Sequence, residues 1–384
     1  MSVDLILLFA SLFTWGLGEG MFIYFQPIYL QQLGASTMTI ASVFSAFGLA
    51  MMLAHIPAGY LADRIGRKPV MIAAWTSDLT ATWVMALART LPAFIFGVLI
   101  YGLTAFVSSP LNSYVTAARG KLTPVRAMTL MSASFNLGAV LGPISGGWLG
   151  DSLGLRTVYL VAACIFIIST GILLFIHSQV RDGHDPSTPP AKLRMNTRFI
   201  TLVGIVFVAM FVMYLPQPLT PKFLQNERGL SLESIGLVGS VGSFGNAALN
   251  LILGQVAART GFLLAQVSVA AFSLLLWKGM GLPWYALGYF LLGGYRAARS
   301  FIFAQVRPLV HPAQMGLAYG VAETFNSMSM TLAPLLAGVL YTFAPIVVYP
   351  VSLALVGVVF LLTIAYAPHQ PVEEPAAAGQ YLEL

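Results

Sequence analysis

The sequence predicts an all-α membrane protein of twelve transmembrane helices in two pseudo-symmetric six-helix bundles, and three observations carry that prediction. Charged residues make up 8% of the chain and apolar residues 58%, whereas an ordinary soluble domain is roughly 25% charged. A soluble fold of 384 residues with so few charges could not cover its own surface. Apolar runs recur from Leu5 to Tyr366, far past the roughly 20 residues that one bilayer crossing needs. The third observation is an internal echo. Gly59, Arg64 and Gly66 return with identical spacing as Gly254, Arg259 and Gly261, and Pro143 and Gly147 return as Pro334 and Gly338. The offsets are 195 residues (59 to 254) and 191 residues (143 to 334), close enough to indicate a parallel duplication, a transporter pattern.

Punctuation at Gly, Pro and charge divides the apolar runs into spans. They cover 4–30, 37–61, 69–88, 91–117, 125–150 and 154–176, then 197–224, 232–257, 261–278, 283–307, 312–341 and 345–367. The bundles are therefore expected at 1–176 and 197–367. Between them, 177–196 is polar and contains Pro186, Pro189 and Pro190, the composition of a cytoplasmic linker. The tail 368–384 is Pro/Ala-rich with Glu373 and Glu374 and is expected to be disordered. The opening stretch shows no basic leader and runs into a helix containing Glu19, so a retained first span is expected there. An even span count places both termini on one side. With that side in the cytoplasm, twelve basic loop residues lie inside and five outside, the positive-inside bias of an inner (plasma) membrane protein. The same distribution assigns the net charge of +6 to the lipid bilayer and not to nucleic acid.

After span two comes Gly59-Tyr-Leu-Ala-Asp63-Arg64-Ile-Gly66-Arg67-Lys68. An ordinary basic loop accounts for Arg64, Arg67 and Lys68 but not for Gly59, Asp63 and Gly66 at these spacings. The stretch resembles the signature loop of the major facilitator superfamily at every defining position, and the twelve-span layout extends the resemblance over almost the whole chain. The resemblance implies a cytoplasmic latch, with Asp63 near the N-terminus of span eleven and the basic residues pairing across the halves. A carboxylate at a positive helix end is stabilised there and released when the halves part. In the second half Ala258 stands where the acid would be. Span five carries Gly138, Gly142, Pro143, Gly146 and Gly147, which is similar to the motif of the drug/proton antiporter branch. Small residues four apart let helices approach closely, and span eight offers a matching face in Gly236, Gly239, Ser240, Ser243 and Gly254. The resemblance implies that spans five and eight meet at a seam between halves. Many proton-coupled relatives carry an Arg four residues before a Gly in span four; here Val98 precedes Gly102, so a proton route through that Arg does not carry over.

Five ionisable residues fall inside spans: Glu19, Asp78, Arg296, Arg299 and Glu323. Each costs roughly 2.5–3.5 kcal/mol at mid-helix, so each needs a partner or a water-filled cavity. Arg296 and Arg299 share one face of span ten, and Glu323 lies on span eleven at the depth of Arg299, which suggests a pair within one half. Glu19 and Arg296 are expected to face the cavity from opposite halves, with Glu19, and also Glu323, as proton-coupling candidates. Arg296 and Arg299 suit an anionic or polar substrate group. Asp78, on the normally peripheral span three, is expected to make a structural hydrogen bond. Glu19 is a substrate-binding candidate too; Tyr101, Asn112, Gln217, Asn246 and Tyr295 complete that set, and Gln217 lies between Pro216 and Pro218, where a broken helix exposes carbonyls.

The five histidines are scattered and Cys164 is alone, so neither a metal site nor a disulfide framework is expected. No nucleotide loop or nucleophile–base arrangement points to an enzyme, and no cofactor is implied. The expected function is a monomeric secondary transporter, exchanging protons for an amphipathic organic compound by alternating access. Symport or facilitated passage of an anionic metabolite, or lipid flipping, is the alternative.

Overall fold

A computed structural model describes residues 2–179, 197–306, 309–310 and 315–367, the side chains of 55–64, 108–109, 124–125 and 315–317 excepted. Most of the linker and all of the tail inferred from the sequence lie outside these residues. Fifteen α-helices occupy nearly all of the described chain: α1 (Val3–Ile23), α2 (Gln26–Gln32), α3 (Thr37–Ile65), α4 (Arg67–Leu87), α5 (Leu91–Leu103), α6 (Ser108–Ala118), α7 (Pro124–Leu153), α8 (Leu155–Leu174), α9 (Thr197–Tyr214), α10 (Thr220–Asn226), α11 (Leu232–Leu253), α12 (Ala258–Lys278), α13 (Leu282–Val306), α14 (Met315–Phe343) and α15 (Val348–Tyr366). Among the described residues nine helices are long and apolar enough to cross a membrane, or ten if the bent pair α5–α6 is one span. The count stops short of twelve partly because α13 carries Arg296 and Arg299; neither it nor α14, which carries Glu323, is among the nine.

Prolines place the helix breaks. Pro27 and Pro221 each occupy the first turn of a short helix, α2 and α10, that continues a long one after a turn. A proline is tolerated at that position because its missing N–H has no partner to lose. Pro143 and Pro334 instead lie inside α7 and α14. Gly66 (φ 95°) and Gly154 (φ 84°) turn the tight corners before α4 and α8, a backbone region that a Cβ disfavours.

Helices α1 and α3–α8 pack among themselves, as do α9 and α11–α15. Two seams join the sets, α7 on α11 and α3 on α14, and α2 also touches α10. Both seams carry the glycine of an echoed Pro–Gly pair. A Cβ on Gly147 of α7 would lie 2.5 Å from the Leu232 carbonyl oxygen and 3.1 Å from Gly236 Cα. A Cβ on Gly338 of α14 would lie 2.5 Å from the Ala41 Cβ and 3.0 Å from the Met38 sulfur.

The structure divides the glycine motif that the sequence assigns wholly to the α7–α11 seam. Gly147 and the Pro143 carbonyl do face α11, since a Cβ on Gly236 would meet that carbonyl, while the Pro143 ring lies against Gly20 of α1. Gly138, Gly142 and Gly146 instead face α1. A Cβ on Gly142 would lie 2.5 Å from the Leu17 carbonyl oxygen and 2.7 Å from Gly20 Cα. Successive glycines four apart form one stripe, and the residue beside that stripe looks about 100° away, which sends the two parts to different neighbours. Gly16 and Gly20 supply the opposing surface on α1, which runs unbroken through Glu19.

Candidate functional site

The bundle end that carries residues 2 and 367 is called the terminal end here, and the opposite end the far end. At the far end the two sets are fastened together. Lys222 Nζ donates to Thr37 Oγ1 at 2.6 Å and lies 5.1 Å from the centre of the Tyr341 ring. Asn226 donates to Gln31 at 3.0 Å. Asp151, at the end of α7, accepts from the backbone N–H of Leu232 at 3.1 Å and of Glu233 at 2.7 Å. Those are the first two N–H groups of α11, which have no partner within their own helix; Ser231 takes the third, from Ser234, at 3.1 Å. Deeper in, the Ser240 hydroxyl accepts from the Ile144 N–H at 3.1 Å, Tyr24 and Ser243 hydroxyls meet at 3.4 Å, and Asn246 donates to Asn136 at 3.2 Å. Of the hydrogen bonds between the sets whose two partners are both described, Asn136–Asn246 lies nearest the terminal end.

Below the far-end closure, charges from the two sets face one another. Glu19 is half-buried on α1, held in orientation by the glycine packing of α1 on α7. Tyr101 of α5 turns its hydroxyl toward the Glu19 carboxyl, and the opposing charge it feels is Arg296 of α13. Arg296 is exposed and, among the described residues, forms no ion pair or hydrogen bond. One helical turn on, Arg299 grips Glu323 of α14 through two contacts, Nη2–Oε1 at 2.5 Å and Nε–Oε2 at 3.1 Å. Asn326 adds a bond to Glu323 Oε1 at 3.3 Å. The fork geometry matches guanidinium to carboxylate and fixes both.

The remaining candidates separate. Tyr295 is buried and stacks on Tyr214, ring centres 5.6 Å apart, with its hydroxyl unpartnered among the described residues. Asn112 is exposed in the middle of α6. Gln217 sits at the break between α9 and α10 and donates to the Met213 carbonyl at 2.8 Å, closing the end of its own helix. Asn246 has its donor on Asn136 and accepts from Asn250 at 2.8 Å, so its amide belongs to the seam. Asp78 does not make the structural hydrogen bond expected of it: both of its carboxyl oxygens are buried and unpartnered. The stretch expected as a loop is helical apart from Gly66: Gly59, Asp63 and Arg64 lie within α3, their side-chain positions outside the described residues. Gly66 forms the corner, and Arg67 donates to Gln179 at 3.2 Å within the first set. Lys68 is half-buried in the first turn of α4.

The family model described as Major Facilitator Superfamily matches residues 8–306 and 202–381. The chain belongs to the major facilitator superfamily. It is a transporter and not an enzyme, and it has the superfamily's all-helical fold. It is similar to the quinolone resistance protein NorA of Staphylococcus aureus (strain Mu50 / ATCC 700699), 25% identical over 94% of this chain and 96% of that protein. It is similar also to multidrug resistance protein 2 of Bacillus subtilis (strain 168), 21% identical over 88% of each chain. Among solved structures, a variant of the nucleoside transporter NupG superposes with a TM-score of 0.82 at 15% identity, over 95% of this chain and 100% of that one. The function these likenesses support is membrane transport of small molecules, with efflux among the related activities.

Sequence reasoning missed the far-end fastening, yet a signal for part of it was present. Gln26-Pro27-Ile28-Tyr29-Leu30-Gln31 and Thr220-Pro221-Lys222-Phe223-Leu224-Gln225 align at an offset of 194 (26 to 220), next to the offsets already noted. The repeat marks α2 and α10 as equivalent short helices. Asp151 had no such signal. An acid at a loop is common, and only the approach of α11 gives it a role.

Proposed function

We propose that this protein is a proton-coupled exporter of an amphipathic organic compound, acting as a monomer in the inner membrane by alternating access between its halves, 1–176 and 197–367. The observation that carries the reading is the placement of Glu19 and Arg296 on opposite sets, below a fastened far end. A carboxyl and a guanidinium so placed respond to substrate and to each other, and the partition between them changes when the halves rock. The relatives named for quinolone and multidrug resistance support export. The positive-inside bias supports a cytoplasmic terminal end, which makes this an inward-facing arrangement. The loop from Gly59 to Lys68 then serves as the latch that closes that end. Arg296, with no ion pair of its own, favours substrates that carry an anionic or polar group, and it also supports a second reading as a symporter for an anionic metabolite.

The test is transport of a panel of amphipathic compounds by proteoliposomes with an imposed pH gradient. Glu19→Gln is expected to abolish gradient-driven movement while preserving substrate exchange, because the amide resembles the protonated acid. Undiminished gradient-driven transport by this variant would remove Glu19 from coupling, and its sign relative to the gradient separates export from symport.

A further inference from the structure

A groove on the outer surface of the first set lies apart from the site described above. It follows the far-end half of α4, from Leu79 past Trp83 to Leu87 and Ala88, and Ala93 of α5 forms its other wall. Its volume is about 560 Å³, within the roughly 300–1,000 Å³ of small-molecule sites. From Leu79 to Ala88 the helix rises about 13.5 Å at about 1.5 Å per residue. That is close to one leaflet of a hydrocarbon core about 30 Å thick. Thr80, which also lines the groove, spends its hydroxyl on the Thr76 carbonyl at 2.8 Å, so the walls ask for hydrocarbon.

The second set places a side chain of its own at the equivalent position. Ala88 ends α4 as Gly279 ends α12, their N–H groups donating to Val84 at 3.0 Å and to Leu275 at 2.8 Å. Leu91-Pro92 then opens α5 and Leu282-Pro283 opens α13. These pairs are 191 residues apart (88 to 279, 92 to 283), the offset of Pro143 and Pro334. At the same offset Ala93 corresponds to Trp284, and a Cβ on Gly279 would lie 2.8 Å from the Trp284 Cβ. An indole therefore stands on the α12–α13 hairpin where the α4–α5 hairpin has a methyl group and a groove.

Positive charge stands at the far-end mouth of the groove. Arg89 directly follows Ala88, is exposed, and forms no ion pair among the described residues; its equivalent in the second set is Met280. Arg156, in the first turn of α8, donates from Nε to the Ala86 carbonyl at 3.4 Å and brings a second guanidinium to the same end of α4. Tail contact alone would select nothing, because lipid tails are as apolar as the walls. Discrimination falls to the headgroup, where guanidinium groups favour net negative charge. We propose that this groove binds one phospholipid with an anionic headgroup, an acyl chain lying along α4 and the headgroup held at Arg89 and Arg156. Neither α4 nor α5 forms a seam between the sets, so an occupied groove leaves the α7–α11 and α3–α14 contacts free to change.

The test uses phosphatidylglycerol and phosphatidylcholine probes with identical acyl chains, each bearing a photoreactive diazirine on one chain. Either probe is diluted into phosphatidylcholine vesicles that hold the full-length protein, and labelled peptides are quantified by mass spectrometry after irradiation. The phosphatidylglycerol probe is expected to label 79–93 about fivefold more than the phosphatidylcholine probe, the scale of one basic residue near a membrane surface. It is also expected to label 79–93 more than the equivalent stretch 270–284. Arg89→Gln should bring the two probes close to equality. Ala93→Trp, which gives the first set the side chain of the second, should lose labelling of 79–93 by both. Excess unlabelled phosphatidylglycerol should suppress the wild-type labelling, whereas the same excess of phosphatidylcholine should not. Equal labelling of 79–93 by the two probes overturns headgroup selection and leaves annular contact only. Undiminished labelling in folded Ala93→Trp overturns the groove as the seat of the chain. Labelling that unlabelled phosphatidylglycerol fails to suppress overturns a discrete site, and that arm needs no variant.

Discussion

Opening the far end must draw α11 away from α7, and the Asp151 contact has to break for that to happen. The Asp151 carboxylate accepts two backbone N–H bonds, at 3.1 and 2.7 Å, from the first turn of α11. A hydrogen bond to a charged group contributes about 1.5–3 kcal/mol, and a carboxylate at a helix N-terminus about 0.3–1 kcal/mol more. Asp151 is exposed, so water replaces much of this when the contact opens, and the net preference for closure falls to about 1–2 kcal/mol. One or two kcal/mol is a factor of about 5–30 in an equilibrium. Asp151→Ala is therefore expected to raise the far-end-open population about 5–30-fold. Asp151→Asn keeps one acceptor oxygen but loses the charge, and should fall between Ala and wild type. The assay is a distance distribution between spin labels at Gln32 and Glu227, both exposed at the far end, in a background with the free Cys164 replaced by serine. Distributions that coincide for wild type and Asp151→Ala, with and without substrate, would refute the idea that this contact holds the far end shut.

Two further outcomes follow from the packing and the ion pair. Gly142→Leu must push α1 off α7, since its Cβ alone would meet the Leu17 carbonyl at 2.5 Å; overpacking of this kind costs about 1–3 kcal/mol or more, visible as a lower Tm in detergent. Gly147→Leu strikes α11 instead, so it is expected to keep a near-normal Tm and to show a widened far-end label distance; the opposite ranking would reverse the assignment of the stripes. Arg299→Gln or Glu323→Gln alone leaves one charge of a half-exposed pair (side chains 46% and 15% exposed) without its partner, a loss of about 1–2 kcal/mol. The double variant is expected to regain most of that loss in thermal unfolding, and strict additivity of the two single losses would show that the groups are not coupled.

Much of this protein is set by properties that a linear sequence displays. Charge scarcity and run length demand a helical membrane fold, because in lipid every backbone polar group must be satisfied within its own segment or a closed barrel. The loop from Gly59 to Lys68 and the echoed Pro–Gly pairs are local patterns with fixed spacing, legible without coordinates. Embedded charges stand out because the bilayer makes them costly, which is why Glu19, Arg296, Arg299 and Glu323 could be singled out.

Tertiary structure decided whatever depends on which helix lies opposite. It split one glycine motif between α1 and α11, because neighbouring residues on a helix look in directions about 100° apart. It committed Asn246 to the seam, gave Asp151 a helix end to cap, and left the Asp78 carboxyl without a hydrogen-bond partner among the described residues. A hydrogen bond requires two groups within about 3 Å, and for these residues the partner is 81 positions away in sequence for Asp151 and Leu232 and 110 for Asn136 and Asn246. Composition can state that such a group needs a partner; only the meeting of the two helix sets determines whether one arrives.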